Sequence, residues 1–148
     1  MKTVIQIAKN ASVTVEEKVT GKIDYGFLIL VGITHTDTKE DVKKMANKII
    51  NLRIFSDENG KTNLALNDVN GSVLSISQFT LYADCKKGNR PSFTDAAKKD
   101  QAIELYEYFN DLIREKGFKV DTGIFGAEMF VNFTNVGPFT IVLDSKEL

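Results

Sequence analysis

A chain of 148 residues, 43% hydrophobic and 26% charged, has the balance of an ordinary folded protein and the length of one domain, 1–148. Its 19 basic and 20 acidic residues leave a net charge of −1, which excludes a bulk polycation that coats nucleic acid; any such contact must be local. One cysteine, Cys85, and one histidine, His35, exclude an internal disulfide and the common zinc clusters, so neither a metal site nor a cofactor is expected.

Alternating apolar and polar residues at 3–7, 12–15 and 19–23, followed by the more apolar run 27–33, read as strands punctuated by Gly21, Asp24 and Gly26. The apolar run, broken by Gly32, falls far short of the ~20 residues of a membrane span. Gln6, Lys9 and Asn10 interrupt any leader-like apolar segment at the start, so a cytoplasmic protein is expected. Thr38 to Asp41 resembles a capping box, and Val42, Met45, Ala46, Ile49 and Leu52 follow at helical spacing. Asp57-Glu58-Asn59-Gly60 marks a turn. Residues 73–80 read as a strand, 86–91 as a basic loop, and 100–116 as a second amphipathic helix that Gly117 terminates. Three further strands follow at 118–121, 128–134 and 139–143, with Asn135-Val136-Gly137-Pro138 as a turn between the last two. The sum is an α+β domain with two main helices and an antiparallel-rich or barrel-like sheet.

A Ser-His-Asp or Cys-His mechanism would have to use His35, and neither a G-x-S-x-G elbow nor a phosphate-binding G-x-x-x-x-G-K loop is present. Three segments nevertheless carry more chemistry than a plain domain needs. Ser77, Gln78 and Thr80 cluster at a strand end, where alternation alone would make them solvent-facing. Residues 84–99 hold five basic side chains (Lys86, Lys87, Arg90, Lys98, Lys99) against Asp84 and Asp95, a local excess of three that could equally be a solvated turn. Gly137-Pro138 is most simply a hairpin turn. His35 reads as a surface or capping residue and Cys85 as an unpaired loop thiol.

Together these segments resemble a family. Ser77-Gln78-Phe79-Thr80-Leu81-Tyr82-Ala83-Asp84, the stretch 86–97 from Lys86 to Ala97, and Asn135-Val136-Gly137-Pro138-Phe139-Thr140 are similar to the signature blocks of D-aminoacyl-tRNA deacylases. Val31-Gly32-Ile33-Thr34-His35, Asn51-Leu52-Arg53-Ile54-Phe55 and Phe125-Gly126-Ala127-Glu128-Met129 extend the resemblance over residues 1–145.

The resemblance implies a homodimeric hydrolase that cuts the ester between a D-amino acid, or mischarged glycine, and the terminal adenosine of tRNA. It assigns Ser77 and the backbone N–H groups around Gln78 and Phe79 to holding the ester, and makes Thr80 a pocket residue. The substrate's own 2′-hydroxyl helps to activate water, Phe125 lines the adenosine pocket, and Lys86, Lys87 and Arg90 meet tRNA phosphates. Gly137-Pro138 is implied to be a cis peptide that reaches from one subunit into the other's pocket and excludes L-amino acids. The chain departs from the pattern at Ile7, where arginine is common, at Val136 and Phe139, where aspartate and valine are usual, and at Cys85, where threonine is common. The first three bear on how firmly the Gly-Pro segment is held, which makes a deacylase of relaxed stereospecificity one alternative. A non-catalytic factor that grips a nucleic-acid 3′ end is the other.

Overall fold

The computed structural model describes residues 1–148. Its frame is a pair of long antiparallel strands, β1 (Lys2–Val15) and β2 (Lys18–Gly32). The four short strands expected here therefore merge into two. Asn10 adopts φ +51° within β1, and Asp24 and Gly26 sit inside β2, so residues that break a strand locally are carried by the ladder on either side. The true reversal is at Glu16-Glu17, both with positive φ, where the chain turns in two residues.

Helix α1 (Lys39–Ile50) begins as expected: the Thr38 hydroxyl accepts from Asp41 N–H at 3.4 Å, and the Asp41 carboxylate accepts from Thr38 N–H at 2.9 Å. Although burial works to raise the Asp41 pKa, the bonds its carboxylate accepts from the Thr38 N–H and, at 2.8 Å, the Thr38 hydroxyl, helped by Lys146, hold the carboxyl below its ordinary range. A short hairpin follows, β3 (Phe55–Ser56) and β4 (Thr62–Leu64), around the expected turn, in which Asp57 Oδ1 accepts from the N–H groups of Asn59 and Lys61. Helix α2 (Lys99–Glu115) ends just before Gly117, whose φ of +92° suits the left-handed exit from a helix.

Strand β5 (Ser72–Ser77) lies parallel to β2, β6 (Val120–Thr122) parallel to β5, and β7 (Phe130–Asp144) antiparallel to β1, which gives the order β6-β5-β2-β1-β7. The α+β class holds, with an antiparallel half joined to a parallel half. Alternation along β2 explains its apolar run, because both faces are covered. Phe27, Ile29 and Val31 meet Met45, Ile49, Phe109 and Ile113 of the two helices, whereas Leu28 packs with Leu74 and Ile76 against Val131 and Phe133 of β7. β7 is three strands from β5 in the sheet. Contact between their side chains means that the sheet coils strongly on itself, barrel-like yet open between β6 and β7.

Two further sequence expectations are corrected. The strand expected over 73–80 stops at Ser77, and residues 79–82 form a 3-10 turn. Gln78 N–H still bonds to the Val31 carbonyl at 2.7 Å, but the next residues have no strand beside them, because β2 ends at Gly32. Residues 135–138 are not a turn between two strands but lie within β7. Gln6 pairs with Thr140 and Ala8 with Asn135, so Ile7 alone faces four residues, 136–139, which bulge out of the ladder.

Candidate active site

A cavity of about 270 Å³ opens where the end of β5 meets the curled edge of the sheet, at the small end of the range for ligand sites. Ser77, Gln78 and Phe79 form one wall. Phe125, Gly126, Ala127 and Met129, from the segment between β6 and β7, also line it. Val31 of β2, Ile33 just after it, Ile76 of β5, and Ala102 and Tyr106 of α2 complete much of the lining.

The lining carries no carboxylate, imidazole, amine, guanidinium or thiol. Its one titratable group is Tyr106, whose hydroxyl donates to the Ser75 carbonyl at 2.8 Å and which burial pushes above the usual tyrosine range. Tyr106 is therefore a neutral donor at physiological pH, already engaged. Its ring lies against Phe125 with centroids 5.9 Å apart, which seats that aromatic wall. In the sequence Tyr106 shows only as part of the apolar face of α2, because a pocket-lining and a core position look alike in a 3.6-residue period.

The polar wall owes its shape to the 3-10 turn. Leu81 N–H bonds to the Gln78 carbonyl at 3.3 Å and Ala83 N–H to that of Thr80 at 3.0 Å, while none of the turn, loop or cap bonds takes up the N–H of Phe79 or Thr80. Such a turn leaves its first N–H groups without acceptors inside the helix. The Gln78 side-chain amide donates to the Thr80 hydroxyl at 2.6 Å, which fixes both side chains beside those free donors. Backbone N–H groups without acceptors beside a neutral apolar cavity suit an ester, because such donors can stabilise charge as it develops on a carbonyl oxygen.

Gly32 seats this turn. A Cβ built there would lie 2.9 Å from Leu81 Cβ and 3.1 Å from the Gln78 carbonyl oxygen, so the end of β2 and the turn approach as closely as only glycine permits. At the far end of the turn, Lys2 Nζ lies 5.0 Å from the centre of the Tyr82 ring. The sequence suggests Gly32 as a break in an apolar run and as part of the family-like segment 31–35, with no sign of this contact.

Of the other sequence candidates, Phe125 lines the cavity, while Thr80 stands just outside it and is exposed. Lys86, Lys87 and Arg90 lie on an exposed loop closed at its base by paired backbone bonds between Asp84 and Ser92, at 2.8 and 2.9 Å. Gly137 and Pro138, joined by a cis peptide bond, are exposed and do not line the cavity of their own chain. Gly137 has φ +128°, a conformation that L side chains rarely adopt. Asn135 spans the bulge: its Oδ1 accepts from Phe139 N–H at 2.9 Å, and its Nδ2 donates to the Thr140 hydroxyl at 3.1 Å. Ile7, opposite the bulge, is buried in the main core. His35 and Cys85 are exposed and outside the cavity, and no group of three or more His, Cys, Asp or Glu side chains is placed to hold a metal.

The profile of the family described as D-Tyr-tRNA(Tyr) deacylase matches residues 4–144. The D-aminoacyl-tRNA deacylase of Bacillus velezensis is 60% identical over 147 residues, which cover 99% of this chain and 100% of the relative. That of Thermus aquaticus is 57% identical, over 99% of this chain and 97% of its own. Among solved structures, c-Myc DNA Unwinding Element Binding Protein superposes with a TM-score of 0.90 at 39% identity, over 97% of this chain and 98% of that one. A probable eukaryotic D-amino acid tRNA deacylase shares the fold, with a TM-score of 0.85 at 17% identity over 96% and 97% of the two chains.

Proposed function

The chain belongs to the D-Tyr-tRNA(Tyr) deacylase family, and from that premise we propose that it hydrolyses the ester of D-aminoacyl-tRNA, and of mischarged glycyl-tRNA, at the wall formed by Ser77, Gln78 and Phe79. One observation carries the assignment of the site: the lining holds no ionisable catalytic pair, while the backbone N–H groups of Phe79, in the lining, and of Thr80 beside it are taken up by no turn, loop or cap bond. An aminoacyl ester is already activated, so positioning and charge stabilisation suffice.

The terminal adenosine enters the apolar cavity against Phe125. The ester carbonyl oxygen then turns toward the N–H groups of Phe79 and Thr80, with Ser77 beside it. Water, assisted by the substrate's own 2′-hydroxyl, attacks the carbonyl carbon. The bond to the ribose oxygen breaks, that oxygen takes a proton, and free amino acid and tRNA leave.

The exposed bulge at Gly137-Pro138, which does not line the cavity of its own chain, acts in a second copy's cavity, as the resemblance to the family implies. On this reading the working unit is a cytoplasmic homodimer. The bulge presents backbone carbonyls to the substrate's amino group on one side of the α-carbon, where an L side chain would have to sit; D-residues and glycine still fit.

Turnover tests the reading: substoichiometric protein should release far more D-amino acid from D-aminoacyl-tRNA than its own amount. A non-catalytic nucleic-acid binder, which the name of the 39%-identical solved structure favours, would instead protect the ester. His35→Ala and Cys85→Ala should each leave kcat/KM within about tenfold, or roughly 1.4 kcal/mol of barrier. A loss of several orders of magnitude in either folded variant would refute a mechanism without an ionisable nucleophile or base. Neutralising Lys86, Lys87 and Arg90 together should raise KM and flatten the dependence of log affinity on log salt by about 0.7–0.9 for each phosphate no longer neutralised. An unchanged slope would make this loop a solvated turn only.

A further inference from the structure

We propose that Phe93, backed by Phe79, is a stacking platform for the base that precedes the terminal adenosine of the tRNA 3′ end; this rests on the deacylase reading of the adjoining cavity. The two rings form an edge-to-face pair with centroids 5.1 Å apart, yet Phe79 remains 56% exposed and Phe93 40% exposed. Phe79 belongs to the cavity wall and Phe93 does not, so the Phe93 ring lies one side chain beyond the cavity. A terminal adenosine that fills the cavity leaves the preceding nucleotide outside it, and the exposed rings of Phe79 and Phe93 offer that base a surface at the cavity's edge.

The surroundings select a nucleotide over other apolar partners. Phe93 directly follows the loop that carries Lys86, Lys87 and Arg90, and the stretch 84–99 has five basic side chains against two acidic ones. Aromatic rings next to a cationic track are what single-stranded nucleic acid needs, since the bases stack while the phosphates pair. The platform is also held in place before binding. The backbone bonds between Asp84 and Ser92 fix its N-terminal side. On its C-terminal side, the Thr34 hydroxyl bonds to the Asp95 carbonyl, and Ala97 N–H to that of Ile33 at 2.9 Å. Little ordering is left to do when the base arrives.

Steady-state kinetics on two substrates test the proposal: D-aminoacyl-tRNA, and the same amino acid esterified to adenosine alone. Phe93→Ala and Phe93→Leu are expected to raise KM for the tRNA substrate by about tenfold, with kcat and the kinetics on the aminoacyl-adenosine unchanged. Phe93→Tyr should restore the tRNA KM. Because Phe93→Leu keeps apolar bulk and loses only the aromatic face, it separates stacking from loop packing. Equal losses on both substrates, no loss on either, or a change of oligomeric state on gel filtration would overturn the platform while leaving the deacylase reading intact. Failure of the unmodified protein to turn over either substrate would overturn both.

Discussion

Gly32→Ala is expected to lower kcat by about a hundredfold while the protein stays folded and KM for tRNA changes little. The added methyl would meet Leu81 Cβ at 2.9 Å and the Gln78 carbonyl oxygen at 3.1 Å, and neither is the loose end of a flexible side chain. The 3-10 turn must therefore move, and with it the N–H groups of Phe79 and Thr80. Loss or misplacement of one such donor costs on the order of 10²–10³ in kcat, and a displacement of about 1 Å costs ~10². The stability cost of overpacking is smaller in consequence, about 1–3 kcal/mol. Thermal unfolding measured alongside single-turnover deacylation separates the two. A folded variant with full kcat would show that the turn does not hold the reacting carbonyl.

Asn135→Ala should reduce the preference for D- over L-aminoacyl-tRNA by about tenfold, mainly through faster cleavage of the L-ester. The Asn135 side chain closes the bulge by bonds to Phe139 N–H and the Thr140 hydroxyl, and Thr140 is reached in turn by Gln6 Nε2 at 3.3 Å. Each such bond contributes about 0.5–1.5 kcal/mol net, so their loss is enough to loosen a steric wall. Ile7 offers no substitute, since its side chain belongs to the apolar core. Matched D- and L-esters on one tRNA provide the measurement. If the variant keeps the preference of the unmodified protein, Asn135 does not hold the filter. If the unmodified protein cleaves both esters equally, the Gly137-Pro138 segment is not a filter at all.

Several features of this protein were determined by local sequence. The capping box of α1, the apolar stripes of α1 and α2, the Asp57–Gly60 turn and the exit at Gly117 need only neighbours within a few residues, and the sequence predicts them to within a residue or two. Having one residue of each kind also narrows any Ser-His-Asp or Cys-His mechanism to one that uses His35. The segments 77–80, 86–90 and 137–138 stood out by composition, and their resemblance to a family identified the chemistry.

Long-range pairing decided the rest. Whether Asn10, Asp24 and Gly26 break a strand depends on the hydrogen bonds of the adjacent strand, which lie outside any local window. The parallel pairing of β5 with β2 brings Ser77 beside Val31, and the end of β2 at Gly32 then leaves the following residues without a strand to continue on. The donor turn is a product of that pairing, and Gly32 became visible as its seat only in three dimensions. Likewise, residues 135–138 look like a turn because Gly-Pro is a strong local signal, yet the ladder to β1 resumes on both sides and carries them as a bulge. Coiling of the sheet brings β7 and the segment around Phe125 against the end of β5 and so encloses the cavity. Periodicity records which residues face inward; how far a sheet coils, and what it thereby brings together, is set by the twist summed over all its strands.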